Sequence, residues 1–563
     1  MSGTQRFGVK GFADASPWLL ALLQALALWV LHESLNAGSW PATEPVWLGA
    51  LYPFVLWVPL TVLLLWSHWR ERVLWLTAGA LGLFLLWSGS HILDGIAGPV
   101  TSDKLEEDAI AGFVLPWMVA WLIAVPLLRA RLEAGRWRAP YPVLFRGAAR
   151  SYLTLAETAL FTGIFWGLLA LWAGLFETLG IDFFKMLFAD ARFVYPATTL
   201  AVTVALRIIG NSDRLVDGVL DQLLGLLKWL APLAGLIVVL FTVALLPKLP
   251  ALLASGEKIL DSGILLALVA LTLLLLNAAY RDGEQEPEYG RLIRQALRVV
   301  PPLLVIVAST ALVSMIIRTA DLGLTPARFW GLVTATFALL FAIGYAIAAV
   351  RHGPWFGELR RVSFVLAILL LATLIISLTP IGNPVRWSVA NQLSRAVAAA
   401  TESDREGALR FLRFDAGAQG RQVLDALVQG RIAAVDPVLR DEAARIAALS
   451  SKRMPPRADP AATPARYAAW RDTLRVLPAD RTVPADLESL LRTEFWVAAA
   501  TLDPGGNAPA PRLVFIDLDA DDREDALLIS GTRRGEPLIV RDYRVFIRTD
   551  EVWRQASAGT LAR

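Results

Sequence analysis

The sequence predicts a mainly α fold: a polytopic membrane helix bundle of about eleven spans, followed by a C-terminal soluble α+β region. Three observations predict it. Of 563 residues, 56% are hydrophobic and only 18% charged, against about a quarter charged in ordinary soluble domains. The mean hydropathy is +0.53. Charge is also uneven, with roughly half of it falling after Pro384. A soluble enzyme of one or two ordinary domains and a disordered chain are both excluded.

A transmembrane helix needs about 20 mostly apolar residues. Nine stretches meet that length clearly: 46–67, 73–93, 109–128, 152–178, 229–247, 263–280, 299–317, 329–350 and 362–380. Two more are weaker. The run 17–32 follows Arg6 and Lys10 and resembles a secretory signal, but no small-residue cleavage site follows it, so it reads as an uncleaved first span. The run 193–210 is interrupted by Arg207, whose long side chain reaches an interface from there.

Loop charge decides the number, because Lys and Arg concentrate in short cytoplasmic loops. With eleven spans, about 20 basic residues fall on one side and about 7 on the other. Removing the 193–210 span changes that to about 14 against 13, which is no bias. Eleven spans therefore place the N-terminus in the cytoplasm and everything after Pro380 outside, in the periplasm of a cell with two membranes. Many of the 21 tryptophans agree, since Trp40, Trp47, Trp69, Trp75, Trp87, Trp137, Trp355 and Trp387 sit near span ends. Indole rings favour the headgroup zone. Between the fifth and sixth spans, residues 181–196 are too aromatic for a solvated loop and read as an interfacial amphipathic helix.

The chemistry available is narrow. There are no cysteines, which excludes disulfides, thiolate metal sites and thiol nucleophiles. The four histidines lie far apart with no HExxH pairing, and read as interfacial polar residues. The net charge of +3 belongs to the cytoplasmic loops of a membrane protein and does not point to nucleic acid. Inside the spans the polar inventory is Glu157, Arg207, Gln24 and Asn277. Glu157 and Arg207 both lie toward the cytoplasmic side of adjacent helices, so an intramembrane polar pair is expected between them, structural before transport-related.

After the bundle (1–384), residues 385–453 have helical spacing. Leu409, Phe411, Leu412 and Phe414 precede a Gly417–Gly420 turn, and Val423, Leu424, Leu427 and Val428 follow it, which reads as a helical hairpin. The proline-rich 454–466 is a linker. The remainder, 467–563, is a small α+β domain with a helix starting at Pro484. Antiparallel strands are expected at 495–501, 512–517, 526–530, 537–540, 543–547 and 552–557. Between two of these runs, Asp517, Asp519, Asp521 and Asp525 repeat with a spacing that can wrap carboxylates around a hard cation. A Ca²⁺ loop and a metal-free acidic turn both remain open. The spacing resembles calcium loops of integrin-like propellers, departing at Asp522, where they carry glycine.

Several short stretches carry a wider resemblance. They are Gly180-Ile181-Asp182-Phe183-Phe184, Tyr195-Pro196, Asn277 to Tyr280 with Asp282-Gly283, and Gly323-Leu324-Thr325-Pro326 with Arg328. Gly344-Tyr345, and Thr379-Pro380 with Pro384, complete the set. In order and style, over roughly 150–415, the chain resembles a bacterial multi-pass inner-membrane family known as domain of unknown function 4153. The resemblance implies location in the bacterial inner membrane and supplies no activity or functional residues.

Three function classes follow. The first is a non-enzymatic envelope anchor or scaffold that presents a module to a periplasmic protein partner; sparse intramembrane charge favours it. The second is a transporter or lipid flippase, which needs a polar mid-membrane cavity. The third is a membrane glycosyltransferase using a lipid-linked donor. That class needs an outer acidic residue, for which Glu33, Glu44, Asp94, Asp103, Glu106, Glu107 and Asp108 are available.

Overall fold

The computed structural model describes residues 4–94, 103–210, 213–248, 262–281, 289–351, 358–432, 436–449, 463–491, 512–517, 524–529, 543–549 and 552–555. It divides into two compact units, Met1–Ala448 and Leu449–Arg563. In the first, eleven helices are long and apolar enough to cross a membrane. The two weak runs are among them, as Ala15–Ala37 and Ala191–Gly210.

In chain order the first unit contains α1 (Thr4–Ala37), α2 (Pro45–Leu64), α3 (Arg72–Asp94), α4 (Asp103–Ala134), α5 (Tyr141–Glu177), the short α6 (Phe183–Ala189) and α7 (Ala191–Gly210). Then come α8 (Asp213–Leu245), α9 (Ser262–Tyr280), α10 (Arg291–Leu322), α11 (Pro326–Val350) and α12 (Leu359–Ser377). Of the segment 181–196, expected as one interfacial helix, residues 191–196 already belong to α7 and Phe183–Ala189 form α6. Its Phe184 packs on Phe176 and Trp172 with ring centroids 4.6 and 5.2 Å apart, and Phe188 meets Phe193 at 5.1 Å.

Prolines inside spans reveal how the helices are joined. A proline has no N–H, so the carbonyl four residues earlier loses its intrahelical donor. Lipid cannot replace that donor, and at several of these prolines another part of the chain does. Pro59 frees the Val55 carbonyl, which accepts from Gln24 Nε2 of α1 at 3.1 Å. Pro126 frees that of Leu122, which accepts from the Tyr152 hydroxyl of α5 at 2.9 Å. Pro232 frees that of Lys228, which accepts from the Tyr289 hydroxyl just ahead of α10. Pro53 frees Gly49, and here the repair is close approach. A Cβ on Gly89 of α3 would lie 1.9 Å from the Gly49 oxygen, so only glycine lets the two backbones meet.

Hydroxyls in the spans mostly bond their own helix. Ser151 donates to the Gly147 carbonyl, Thr203 to Thr199 and Thr242 to Val238, at 2.7–2.8 Å. Leucine and alanine fill the contacts between helices. One core joins α8 to α11 through Val238, Val269, Leu304, Ala308 and Tyr345, all 0% exposed.

Four more helices belong to the first unit: α13 (Pro384–Ala398), α14 (Glu402–Phe414), α15 (Gly417–Val428) and α16 (Pro437–Ala447). The expected hairpin is its α14–α15 part. The turn, however, falls at Asp415-Ala416, and Gly417–Gly420 already forms the first turn of α15. Buried Glu406 of α14 pairs with Arg410 at 2.7 Å and with Arg445 of α16 at 3.5 Å.

The second unit has α17 (Thr463–Thr473), which starts within the expected linker, a helix α18 at 485–491, and a five-stranded sheet. The strands are β1 (Arg475–Leu477), β2 (Arg512–Ile516), β3 (Asp525–Ile529), β4 (Tyr543–Thr549) and β5 (Val552–Gln555), in that spatial order. β2 to β5 form the expected antiparallel meander, and β1 adds a parallel edge that the sequence reading lacked. Period-two alternation puts Leu513 opposite Leu528 and Ala526 opposite Phe546, all buried against Trp470, Leu487 and Leu491. The expected strands 495–501 and 537–540 lie outside the described residues.

Removing one repair donor tests the proline rule. Tyr289→Phe should destabilise the bundle by about 1–3 kcal/mol, the cost of an unsatisfied buried carbonyl. Pro232→Ala in the same chain restores an N–H for Lys228, so the double variant should recover most of the loss in thermal unfolding.

Candidate functional site

Among the described residues, the buried charged side chains are Arg129, Glu406 and Asp525, and only Arg129 belongs to a span. It lies near the end of α4. Two polar assemblies stand out, each where helices end and leave backbone groups without intrahelical partners.

The first is the elbow between α4 and α5. Gly135, at φ +69°, stops α4, and Pro140 and Pro142 start α5. Arg129 donates through Nη2 to the Leu64 carbonyl at the end of α2, at 3.3 Å. Its stem packs over Gly147 of α5, where a Cβ would lie 3.5 Å from Arg129 Cδ. Arg150, one turn beyond Gly147, holds both carboxylate oxygens of Asp217 on α8 at 2.8 Å. The Arg131 guanidinium stands 5.7 Å from the centre of the Trp137 ring. Between these groups opens a cleft of about 400 Å³, lined by Glu133, Pro140, Pro142, Arg146, Gly147 and Arg150.

His68, in the turn Trp66–His68 between α2 and α3, faces the same cluster. Burial holds its imidazole below the ordinary value. The Glu133 and Glu71 carboxylates pull it up, and the Arg129 guanidinium pushes it down.

The second assembly is the α10–α11 turn. Its carbonyls are taken one by one. Arg395 of α13 donates to Ala320 and Asp321, each at 2.6 Å. Arg328 donates to Leu322 and Gly323 at 2.9 and 2.5 Å, and Gln392 donates to Leu324 at 3.2 Å. The Leu324 N–H donates to Asn391 Oδ1 at 2.8 Å. Gly323 has φ +76° and ψ 166°, and a Cβ there would lie 2.4 Å from Gln392 Nε2. The Gly323 to Arg328 stretch singled out in the sequence is therefore the socket in which α13 seats.

The predicted site residues fall elsewhere. Glu157 and Arg207 are both half-buried on α5 and α7, which pack together, but no ion pair joins them among the described residues. Gln24 is engaged with α2 as a proline repair. Of the acidic loop, Asp517 is exposed at the end of β2. Asp525 is 1% exposed as the first residue of β3, opposite Ile516. Asp519 and Asp521 lie outside the described residues. Among the described residues, no three His, Cys, Asp or Glu side chains gather closely enough to hold a metal ion. Of the acids expected on the outer side, Glu33 and Glu44 are exposed, and the side chains of Asp94, Asp103, Glu106, Glu107 and Asp108 lie outside the described residues.

Sequence reading missed both assemblies. Arg129, Arg146 and Arg150 counted there only as loop charges. The signal that could have found the elbow is Arg146–Gly147–Arg150 placed directly after the Pro140 and Pro142 helix start. Comparison with family models, with curated proteins and with solved structures gives no match.

Two measurements follow. Gly323→Ala strains a backbone region open only to glycine and collides with Gln392. It should lower bundle stability by about 1–3 kcal/mol in thermal unfolding. The ring resonances of His68 should titrate below 6.5, and Glu133→Gln, by removing an anion that stabilises imidazolium, should lower the midpoint further.

Proposed function

We propose that this chain is a multi-pass inner-membrane anchor whose spans hold a soluble C-terminal α+β module on the periplasmic side, where a protein partner engages it. The observation that carries this reading is the socket at the α10–α11 turn. Five hydrogen bonds made by Asn391, Gln392 and Arg395 tie the first helix after the spans to the bundle. The socket fixes α13 on the bundle, so the expected linker at 454–466 starts from a firm base. Two further ion pairs, Arg405–Glu442 and Arg445–Glu406, extend the rigid connection to α16.

The interior supports the same reading. Transport or lipid flipping needs polar groups at mid-membrane, whereas Arg129 lies at a span end and the hydroxyls named above are spent on their own helices. The loop-charge bias supports a cytoplasmic N-terminus and a periplasmic C-terminus. Membership of the domain of unknown function 4153 family is part of this proposal. It rests on the stretches quoted above, of which Gly323-Leu324-Thr325-Pro326 acquires a mechanical role in the socket.

Topology is the test. Alkaline phosphatase fused after Arg563 should be active, and a green fluorescent protein at the same position should stay dark. The opposite pattern would remove the anchor reading.

A further inference from the structure

We propose that the α4–α5 elbow cleft is a phosphate-binding site, taking the headgroup of an anionic phospholipid or a free phosphate ester. The cleft lies at the turn between the candidate span Gly112–Ala134 and the candidate span that begins at Tyr141, where a bilayer would place its headgroups. Its volume of about 400 Å³ suits a headgroup, and it is open to the boundary, not enclosed in the bundle. Basic pockets between spans at a membrane surface are the recurrent form of anionic-headgroup sites.

The lining matches that chemistry. Arg146 and Arg150 are one helical turn apart, so both guanidiniums rise from the same wall of the cleft. Guanidinium is the group best shaped for oxyanions, since its N–H fork matches two oxygens at once. Arg150 already makes that contact, gripping both oxygens of Asp217 at 2.8 Å, which fixes its direction. Gly147 leaves the wall between the two arginines without a side chain, and buried Arg129 lies directly behind it. Pro140 and Pro142 supply an apolar edge with no N–H of their own.

Charge selects within the class. Among the residues that line the cleft, Arg146 and Arg150 against Glu133 leave one net positive charge. That balance favours a singly charged phosphodiester over a dianionic phosphate, whose second charge would face the Glu133 carboxylate.

The test uses the full chain in nanodiscs of mixed phosphatidylglycerol and phosphatidylcholine, with lipids that stay bound after release counted by native mass spectrometry. The wild type should retain phosphatidylglycerol in preference to phosphatidylcholine. Arg146→Ala should lower that retention about tenfold, the loss of one charge-assisted contact, while Glu133→Gln should raise it. Glu133→Gln also covers the case in which Arg146→Ala fails to fold. Adding inorganic phosphate separates the sources: displacement of the lipid identifies a free phosphate ester, and persistence identifies the headgroup. Equal retention of both lipids without phosphate binding, or retention unchanged in both variants, would overturn the proposal.

Discussion

A backbone carbonyl inside a bilayer has nowhere to turn but to another part of the protein, and this chain frees several of them with prolines. The constraint does more than account for three hydrogen bonds. It decides which helices are neighbours. Gln24 must face Val55, Tyr152 must face Leu122 and Tyr289 must face Lys228. Each contact crosses from one helix to another element, so each repair fixes a packing choice that apolar surface alone leaves free. Leucine packs as well on lipid as on another leucine, and shape and hydrogen bonding must therefore supply specificity.

Helix ends impose the same demand in a different place. The last carbonyls of α10 project with the negative end of a helix dipole, and two arginines and a glutamine meet them. The last turn of α2 is met by Arg129. In both cases a cation supplies donors that the helix end lacks, Arg395 from a half-buried position and Arg129 from a buried one. The elbow goes further, since Arg150 also links α5 to α8 and so connects the early spans to the later ones. Structural arginines and a cleft able to hold an anion thus share one origin. A boundary rich in guanidinium, built to finish helices, is also a surface that phosphates recognise.

Most of the bundle was legible in the sequence because the bilayer is a simple solvent. It requires long apolar runs, and it sorts basic loops to one side. Even 193–210, broken by Arg207, was recovered from charge bias, and α7 spans Ala191–Gly210. The aromatic 181–196 segment announced helix, which the structure divides between α6 and the start of α7. Legibility fell where a residue type fits several partners. Glu157 and Arg207 were expected to meet because both are ionisable and near one boundary, but side-chain direction around α5 and α7 decides that, and no ion pair joins them among the described residues. Arg146 and Arg150 looked like ordinary loop charge because their common wall exists only once Pro140 turns the chain back. In the second unit, period-two alternation marked β2 to β5, whereas β1 is only three residues long and offered no period to read.

By itself, the sequence determined that eleven runs are long and apolar enough to cross a membrane, because hydrophobic length is a property of single segments facing a uniform medium. The helix limits differ, with α5 starting at Tyr141 and α8 at Asp213 where spans were expected from 152 and 229. The sequence also carried the signals that stop α4 and α10, at Gly135 and Gly323, and that start α5 and α11, at Pro140 and Pro326. Tertiary structure alone decided which carbonyl each polar side chain would answer and that α13 would seat on the α10–α11 turn. It also brought three arginines and two carboxylates together around one cleft. Those outcomes depend on rotation of each helix about its axis and on distances between chain segments up to 75 residues apart. No local pattern encodes either of these.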